Sequence, residues 1–221
     1  MTATLIRSLV SVARRTASEP MEVSETTTSR KERISRGLIL EVAARLIVEQ
    51  GFGACTMRSI SDRLEIKAAS LYHHFPSKDD IVVEIMNLGA SMLLDEVARA
   101  VAALPEGTSF RDTLRTAIHA HTVCKVDTSA PFMQVYEHLP PVMKRESRQA
   151  RRLYSEFWIA LIERGKTAGQ LRENLDTTIF VSYLLGGLNR VPEWFHSESM
   201  DVAQVVDVIM ASTWEGIALD D

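Results

Sequence analysis

The spacing of apolar residues restricts the fold of this chain more than any other feature. From Arg30 onward, apolar side chains recur with the period of an α-helix, and no run alternates with a period of two over the length of a strand. Caps and helix-breaking residues divide the pattern into about nine helices, of which the first three are short. The sequence therefore predicts an all-α fold without a sheet.

The expected helix starts are marked by polar residues that stand just before a periodic apolar segment, as N-caps do. These residues are Thr56, Ser77, Ser109, Asp176 and Asp201. Pro131 opens a short helix that ends near His138, and a long helix is expected after Pro140-Pro141 that stops at Gly169. Pro192 is expected to bend or end the helix that Asp176 opens.

The first two helices have predictable inner faces. In the first helix, Leu38, Val42, Leu46 and Ile47 are expected to share the buried face. In the second helix, Met57, Ile60 and Leu64 are expected to face inward. These faces give the core of a small helical domain, which is too short to bury much surface alone.

The composition excludes several classes of protein. With 46% hydrophobic and 24% charged residues, the chain is an ordinary globular protein. No stretch approaches the roughly 18 uncharged apolar residues that span a bilayer, and the two cysteines suit a reduced compartment. We expect a cytoplasmic protein without a membrane span. Residues 1–29 are expected to be a disordered extension or the product of an upstream start codon, since Met21 could also initiate.

Charge is distributed unevenly along the chain. Residues 1–81 hold 12 Lys and Arg against 10 Asp and Glu, whereas residues 82–221 hold 13 against 19. A slightly basic first part that precedes an acidic second part points weakly to nucleic acid near the N-terminus.

Two short helices joined by a tight turn, within residues 56–75, have the dimensions of a helix-turn-helix. Steps of 100° per residue from Leu71, the expected core residue, turn one small and polar face of the second helix outward. That face holds Ala69, Ser70, Tyr72 and His73. Small and hydrogen-bonding groups without a carboxylate suit a major groove about 12 Å wide. A helical corner within an all-helical enzyme or scaffold fits the same geometry, so both interpretations stay open at this point.

The segments TMRSISD (residues 56–62) and SLYHHFPSKDDI (residues 70–81) closely resemble the DNA-binding signature of the TetR family of bacterial transcriptional regulators. The preceding helix, with Ala43 and the closing Gly51-Phe52, fits as well. The resemblance implies a helix-turn-helix DNA-binding domain at residues 30–81 and a helical ligand-binding and dimerisation domain at residues 82–221.

The chain departs from the family pattern in the turn. Glu65 stands where the family often has Gly, so a left-handed turn there would be mildly strained. Lys67 stands where the family often has Ser, which replaces a capping side chain by a cation, and Ser61 occupies a position where a small residue is usual. The first two departures bear on which operator sequence is bound.

The resemblance also implies DNA-contacting roles. The residues that would face the major groove are Lys67, Ala68, Ala69, Ser70 and His73. Tyr72 and Lys78 would hold phosphates, and Thr56 and Arg58 would do so at the preceding helix. The amides at the helix start near Ser77 also suit a phosphate oxygen, because free N–H groups and the helix dipole point there.

Residues 176–191 and 201–218 are expected to form a homodimer interface. Both segments are apolar over more than one face, and Gly186-Gly187 would let a partner backbone approach closely. The alternative is that both are fully buried core helices. The two-fold symmetry of operator half-sites favours the dimer.

The ligand site is expected on the middle helices, where ordinary core packing is the alternative for each residue. The candidates are His121, Phe132, Met133, Tyr136, Arg148, Arg151, Tyr154, Phe157, Trp158 and Trp194. The cations of residues 144–152 along one expected helix either form a solvated face or meet an anionic ligand, such as the phosphates of coenzyme A. The segment LLGGLNRVPEWF (residues 184–195) resembles its counterpart in TetR-family regulators of lipid and sterol breakdown, some of which respond to acyl-CoA thioesters.

Catalytic patterns find little support. Cys55 and Cys124 have no recognisable base beside them, and His119 and His121 are two residues apart and so do not chelate as an i, i+4 pair does. We expect no enzyme activity, no metal and no cofactor. The predicted function is a ligand-responsive DNA-binding transcriptional regulator, with repression as the usual mode of the family and an apolar molecule such as an acyl-CoA as effector. The alternative is an all-helical small-molecule binding or scaffold protein that does not bind DNA.

Overall fold

The computed structural model describes residues 35–127, 131–146 and 148–219, and for residues 145, 146 and 148–150 it describes the backbone alone. The extension predicted at residues 1–29 lies outside these ranges. Within them the helices are α1 (Arg36–Gln50), α2 (Met57–Arg63), α3 (Ala68–His74), α4 (Lys78–Ala102), α5 (Phe110–Val126), α6 (Pro131–Gln134), a 3₁₀ turn (Val135–His138), α7 (Pro141–Glu146), α8 (Arg148–Thr167), α9 (Thr177–Leu188), α10 (Val191–Trp194) and α11 (Val202–Ile217). The described residues contain no strand beyond an isolated bridge between Leu171 and Ala218, which confirms the all-α prediction.

The described residues fall into two compact units. The N-terminal unit comprises residues 35–90 with 131–146 and 148–150, and the C-terminal unit comprises residues 91–127 with 151–219. Helix α4 contributes residues to both units. No helix in the described part of the chain is long and apolar enough to cross a membrane.

The predicted N-caps are confirmed by hydrogen bonds from the backbone. Each capping side chain accepts from an N–H in the first turn of its helix, which satisfies a donor that the helix itself leaves free. The pairs are Thr56 with Ser59, Ser77 with Asp80, Ser109 with Asp112, Asp176 with Ile179 and Asp201 with Ala203.

The predicted inner face of α1 is partly wrong. Leu38 is exposed, and the buried residues are Ile39, Leu40, Ala43, Ala44, Leu46 and Ile47. The buried face is broader than the pattern suggested, because α1 packs against α2 on one side and against α6 with its 3₁₀ turn on another. The inner face of α2 is confirmed: Ile60 is buried, and Met57 and Leu64 pack against the same core.

The segment predicted to form one long helix after Pro140-Pro141 is described on both sides of Ser147. Residues 141–146 form α7 and residues 148–167 form α8, and Ser147 lies outside the described residues. The continuity of the helix through Ser147 therefore stays a prediction. The predicted stop at Gly169 agrees with the end of α8 at Thr167 and with the positive φ of Gly169.

Residues 131–146 complete the core of the N-terminal unit. Val135, Leu139 and Met143 are buried in the same apolar cluster as the inner residues of α1 and the start of α4. Gly89 on α4 allows this segment to approach, because a Cβ there would lie 2.6 Å from the carbonyl oxygen of Phe132. A side chain at residue 89 would therefore push the segment away from α4.

Candidate DNA-binding surface and ligand site

The turn between α2 and α3 has the hydrogen bonds of a Schellman motif. The Ile66 N–H donates to the Ser61 carbonyl over 3.0 Å, and the Glu65 N–H donates to the Asp62 carbonyl over 3.2 Å. Glu65 has φ 56, the left-handed conformation expected from the sequence. The Cβ of an L-residue in this conformation lies too close to a backbone carbonyl oxygen, and glycine has no Cβ. Glu65 is therefore mildly strained where glycine would not be.

Helix α3 is anchored by its inner residues and exposes the rest. Leu71 is 0% exposed and Phe75, at the C-terminal end of the helix, is also fully buried. His74 is half-buried. The predicted DNA contacts on α3 and at its N-cap are exposed: Lys67, Ala68, Ala69, Ser70, Tyr72 and His73. Lys67 stands at the N-cap and forms no side-chain cap, because an ammonium group cannot accept a hydrogen bond.

Arg36, which the sequence analysis missed, fixes the position of α3. Its guanidinium donates to the Glu84 carboxylate on α4 and, over 2.5 Å, to the His74 carbonyl at the end of α3. It also lies 4.0 Å from the centre of the Phe75 ring. The bond to Glu84 raises the pKa of Arg36. The contact joins residues 48 positions apart, so no local pattern could have indicated it.

Lys78, predicted as a phosphate contact, is held within the N-terminal unit. Its Nζ atom lies 3.7 Å from the centre of the Phe52 ring and donates to the Phe52 carbonyl over 3.2 Å. An ammonium group has three donors, so this arrangement leaves two for a phosphate. Asp79 and Asp80 in the same first turn are exposed and would oppose a phosphate at this helix start.

Thr56 and Arg58 lie at the start of α2. Thr56 forms a capping box with Ser59, in which the Ser59 N–H donates to Thr56 Oγ1 over 3.0 Å and the Thr56 N–H donates to Ser59 Oγ over 2.8 Å. Arg58 is exposed and its Nε lies 3.7 Å from an Asp62 carboxylate oxygen. An exposed pair of this kind is worth less than about 1 kcal/mol, so Arg58 can exchange its partner at little cost.

In the C-terminal unit, α5 and α8 bring four predicted ligand residues together. His121 Nδ1 lies 2.6 Å from the Tyr154 hydroxyl. The His121 and Tyr154 rings are stacked with their centres 5.8 Å apart, and both meet Trp158 edge-on at 6.2 Å. Phe157 packs edge-on against Trp158 at 6.4 Å. Burial lowers the pKa of His121 to about 3 and raises that of Tyr154, so both side chains are neutral at pH 7.

The other predicted ligand residues are dispersed. Phe132, Met133 and Tyr136 belong to the N-terminal unit, where Phe132 and Tyr136 pack on its core. Trp194 on α10 is partly exposed and Arg151 on α8 is half-buried, both in the C-terminal unit. The side chain of Arg148 lies outside the described residues. No single unit therefore gathers the whole predicted set.

Helix α9 has one buried and one exposed face. Its inner residues are Thr177, Phe180, Val181, Leu184, Leu185 and Leu188. On the outer face, Ile179 and Tyr183 are 69% and 75% exposed, and added Cβ atoms at Gly186 and Gly187 would meet no atom of the protein within 4 Å. On α11, Val208 is 62% exposed. The predicted interface segments thus present large apolar side chains to their surroundings.

The described residues hold neither a candidate metal cluster nor a cysteine with a lowered pKa. They contain no group of three His, Cys, Asp or Glu side chains that could hold a metal ion. Burial raises the pKa of Cys55 to about 11 and also raises that of Cys124. Neither thiol is therefore a ready nucleophile at neutral pH.

Comparison with known families and proteins accounts for both parts of the chain. Residues 39–85 match the bacterial regulatory proteins of the tetR family, and residues 107–217 match the tetracyclin repressor-like C-terminal domain. The HTH-type transcriptional repressor KstR2 of Rhodococcus jostii is 26% identical over 186 residues, which cover 81% of this chain and 89% of KstR2. KstR2 of Mycobacterium tuberculosis is 26% identical over 156 residues, 67% of this chain and 75% of that protein.

Solved structures show the same fold. The ketosteroid transcriptional regulator KstR2 of Mycobacterium tuberculosis has a TM-score of 0.64 at 22% identity, covering 90% of this chain and 100% of that one. AibR in complex with isovaleryl coenzyme A and operator DNA has a TM-score of 0.68 at 21% identity, covering 81% and 97%. Together with the exposed face of α3, these matches establish that the chain belongs to the TetR family of bacterial transcriptional regulators and is a DNA-binding regulator.

Proposed function

We propose that this protein is a homodimeric repressor that binds operator DNA through α3. An acyl-CoA thioester with an apolar acyl group releases it from the operator. The observation that carries the proposal is the construction of α3. Leu71 and Phe75 fix it to the core, while its whole small and polar face is left exposed without a carboxylate. A major groove accepts such a face, because backbone approach needs small side chains and base edges need hydrogen-bonding partners.

The exposed residues divide into two groups by the kind of DNA contact they can make. Ala68, Ala69, Ser70 and His73 would meet base edges, and Lys67 would reach them from the N-terminal end of α3. Tyr72 would hold a phosphate, as would Lys78, Thr56 and Arg58 around the rim. Base contacts give sequence preference, whereas phosphate contacts give affinity and register. The Arg36 contacts with Glu84 and His74 support this assignment, since they hold α3 at a fixed angle to α1 and α4.

The outer faces of α9 and α11 supply the proposed dimer interface, at residues 176–191 and 201–218. Ile179, Tyr183 and Val208 would bury their side chains against a second copy, and Gly187 would allow the two backbones to approach. A two-fold dimer places two recognition helices on successive major grooves, about 34–36 Å apart.

The effector class is supported by the relatives and by the C-terminal unit. AibR was solved with isovaleryl coenzyme A, and one KstR2 structure is of a ketosteroid regulator. In this chain His121, Tyr154, Phe157 and Trp158 form a largely apolar cluster that suits an acyl chain or ring. Arg151 lies in the first turns of the helix that carries three of these residues, where a cation suits the phosphates of coenzyme A.

Release would follow from a change in the spacing of the two recognition helices. Helix α4 begins beside α3 and is continuous over both compact units, so a ligand that favours a different position of α4 also moves α3. The ligand weakens DNA binding only by as much as DNA weakens ligand binding.

Retardation of a duplex that carries the protein's own upstream region tests the proposal. We expect a salt-sensitive complex that octanoyl-CoA or isovaleryl-CoA dissolves. Failure to retard any part of that region at low salt would favour the alternative, a helical small-molecule binding protein that does not act on DNA. Release by a neutral or cationic apolar compound, with no effect of any thioester, would keep the regulator and exclude coenzyme A.

A further inference from the structure

One buried polar atom of the C-terminal unit has a bonding capacity that the protein leaves unused. His121 on α5 is 0% exposed, and its Nδ1 atom is paired with the Tyr154 hydroxyl. Its Nε2 atom is buried and has no hydrogen-bond partner among the described residues. Because buried polar groups are nearly always paired, an unpartnered ring nitrogen in a ligand-binding family calls for a physical explanation.

The hydrogen bond to Tyr154 determines whether Nε2 donates or accepts. If the Tyr154 hydroxyl donates to Nδ1, the ring hydrogen of His121 resides on Nε2 and one N–H is left unpartnered. If Nδ1 donates instead, the phenolic hydrogen loses its one acceptor in the described residues, and Nε2 becomes an unpartnered acceptor as well. The first arrangement leaves fewer buried groups unsatisfied and is therefore favoured.

The surroundings support that arrangement. Burial keeps His121 neutral, with the positive charge of Lys125 as a second cause, so the ring carries a single hydrogen. Burial also raises the pKa of Tyr154, so its hydroxyl keeps a hydrogen that it can donate to Nδ1.

We propose that His121 Nε2–H is the donor that recognises the thioester carbonyl oxygen of the effector. The inference rests on the proposed function, in which the C-terminal unit binds an acyl-CoA. Ile118 on α5 and Phe157 and Leu161 on α8 are buried on the same helices and offer apolar contact to an acyl chain. A single donor in apolar surroundings fixes the one polar atom of that chain.

This donor also gives the ligand a reason to shift the conformation. Nε2 is buried and has no partner among the described residues, and a state in which a carbonyl oxygen reaches it gives this donor an acceptor. A ligand can shift an equilibrium only by its differential affinity for the two states, and this contact exists in one state alone. Tyr154 acts as a positioning residue, because it holds the tautomer that makes Nε2 a donor.

Matched ligands that differ in one oxygen test the inference on the full-length protein. Isovaleryl-CoA is compared with isopentyl-CoA, and octanoyl-CoA with octyl-CoA, where the second member of each pair is a thioether without the carbonyl. Calorimetry is expected to show that wild type binds the thioester about 10- to 100-fold more tightly, the range for one buried hydrogen bond. The preference is expected to vanish in His121→Phe and to survive in His119→Phe, which changes another histidine of α5.

A measurement on ligand-free wild type stands independently of the variants. Nitrogen NMR at pH 7 is expected to show His121 as the neutral tautomer with its hydrogen on Nε2. Addition of octanoyl-CoA is expected to change the chemical shift of the Nε2–H group. A hydrogen on Nδ1 would overturn the inference, as would equal affinity of wild type for thioester and thioether. The second result would leave the proposed function intact, since acyl-CoA would still bind. Absence of binding by all four compounds would reject both the carbonyl contact and the acyl-CoA effector.

Discussion

The DNA-binding surface of the N-terminal unit and the buried cluster of the C-terminal unit are built in opposite ways. On α3 the residues assigned to function are the exposed ones, since Leu71 and Phe75 are the fully buried residues that anchor the helix. In the cluster the atoms proposed to bind the effector are buried, and His121 contacts Tyr154, which is 33 residues away in the sequence. The residues that α3 exposes are determined by the orientation of one short helix about its axis. The residues that meet in the buried cluster are determined by the packing of α5 against α8, which are distant in the sequence.

The same contrast separates binding from stability. An exposed side chain on α3 or α9 can be changed with little effect on folding, because it touches few atoms of its own subunit. A change at His121 or Trp158 alters a close-packed interior and affects folding and ligand binding together. Substitutions at exposed positions therefore test binding more cleanly than substitutions in the interior.

Gly187→Leu is expected to have the largest effect and to act on assembly alone. An added Cβ at this exposed position meets nothing within 4 Å beyond its own helix, so the monomer should fold normally while its partner is pushed away. Loss of bivalent binding should weaken the operator complex about 100-fold or more. Sedimentation velocity would measure the loss of the dimer, and retardation assays would measure the loss of operator affinity. Glu173→Leu is the control, because it adds an exposed leucine outside residues 176–191. An intact Gly187→Leu dimer would place the interface elsewhere.

His73→Ala is expected to change which sequences are bound. A side chain that reads a base edge contributes about 1–3 kcal/mol at the base pairs it touches, so discrimination should relax there and persist elsewhere. The free energy of unfolding should stay within about 0.5 kcal/mol of wild type, because His73 is exposed. Binding to a library of operator variants would reveal the pattern. An equal loss on every sequence would show that His73 holds the backbone and does not read bases.

Lys78→Ala is expected to weaken all duplexes alike, by about tenfold at low salt, and to lower the salt slope by about one counterion. Lys78 also contacts Phe52, so the substitution removes a cation–π contact worth about 0.5–1 kcal/mol. Phe52→Leu removes that contact and keeps the cation, which separates the two roles. If both variants change affinity equally and neither changes the slope, the cation serves folding and does not meet a phosphate.

The extent to which the sequence predicted the structure follows the same division. The helix starts at Thr56, Asp176 and Asp201 could be predicted, because a cap is a local hydrogen bond within three residues. The exposed face of α3 could be predicted for a similar reason. The full width of the buried face of α1 could not be predicted, since it depends on a segment that begins more than 80 residues later.

The ligand site was the hardest to predict, because aromatic residues at helical spacing are the same in a core and in a pocket. His121, Tyr154, Phe157 and Trp158 do lie together, but Phe132, Met133 and Tyr136 belong to the other unit. The Arg36 contact with Glu84 joins charges 48 residues apart and has no local signature at all. Each miss is a contact made by tertiary packing.

Glu65→Gly is expected to have the smallest effect and to separate the turn from the surface it supports. The left-handed conformation at φ 56 costs an L-residue about 1–2 kcal/mol, whereas glycine adopts it freely. Glycine also loses more entropy on folding, by about 0.4–1 kcal/mol, so the net gain should be about 0.5–1 kcal/mol. Thermal unfolding would measure it, with Glu65→Ala as the control that removes the carboxylate and keeps the strain. If the alanine variant is stabilised as much as the glycine variant, relief of charge rather than of strain would be the cause.

Because the Schellman hydrogen bonds use backbone atoms alone, α3 should keep its position and Glu65→Gly should preserve the sequence preference of the wild type.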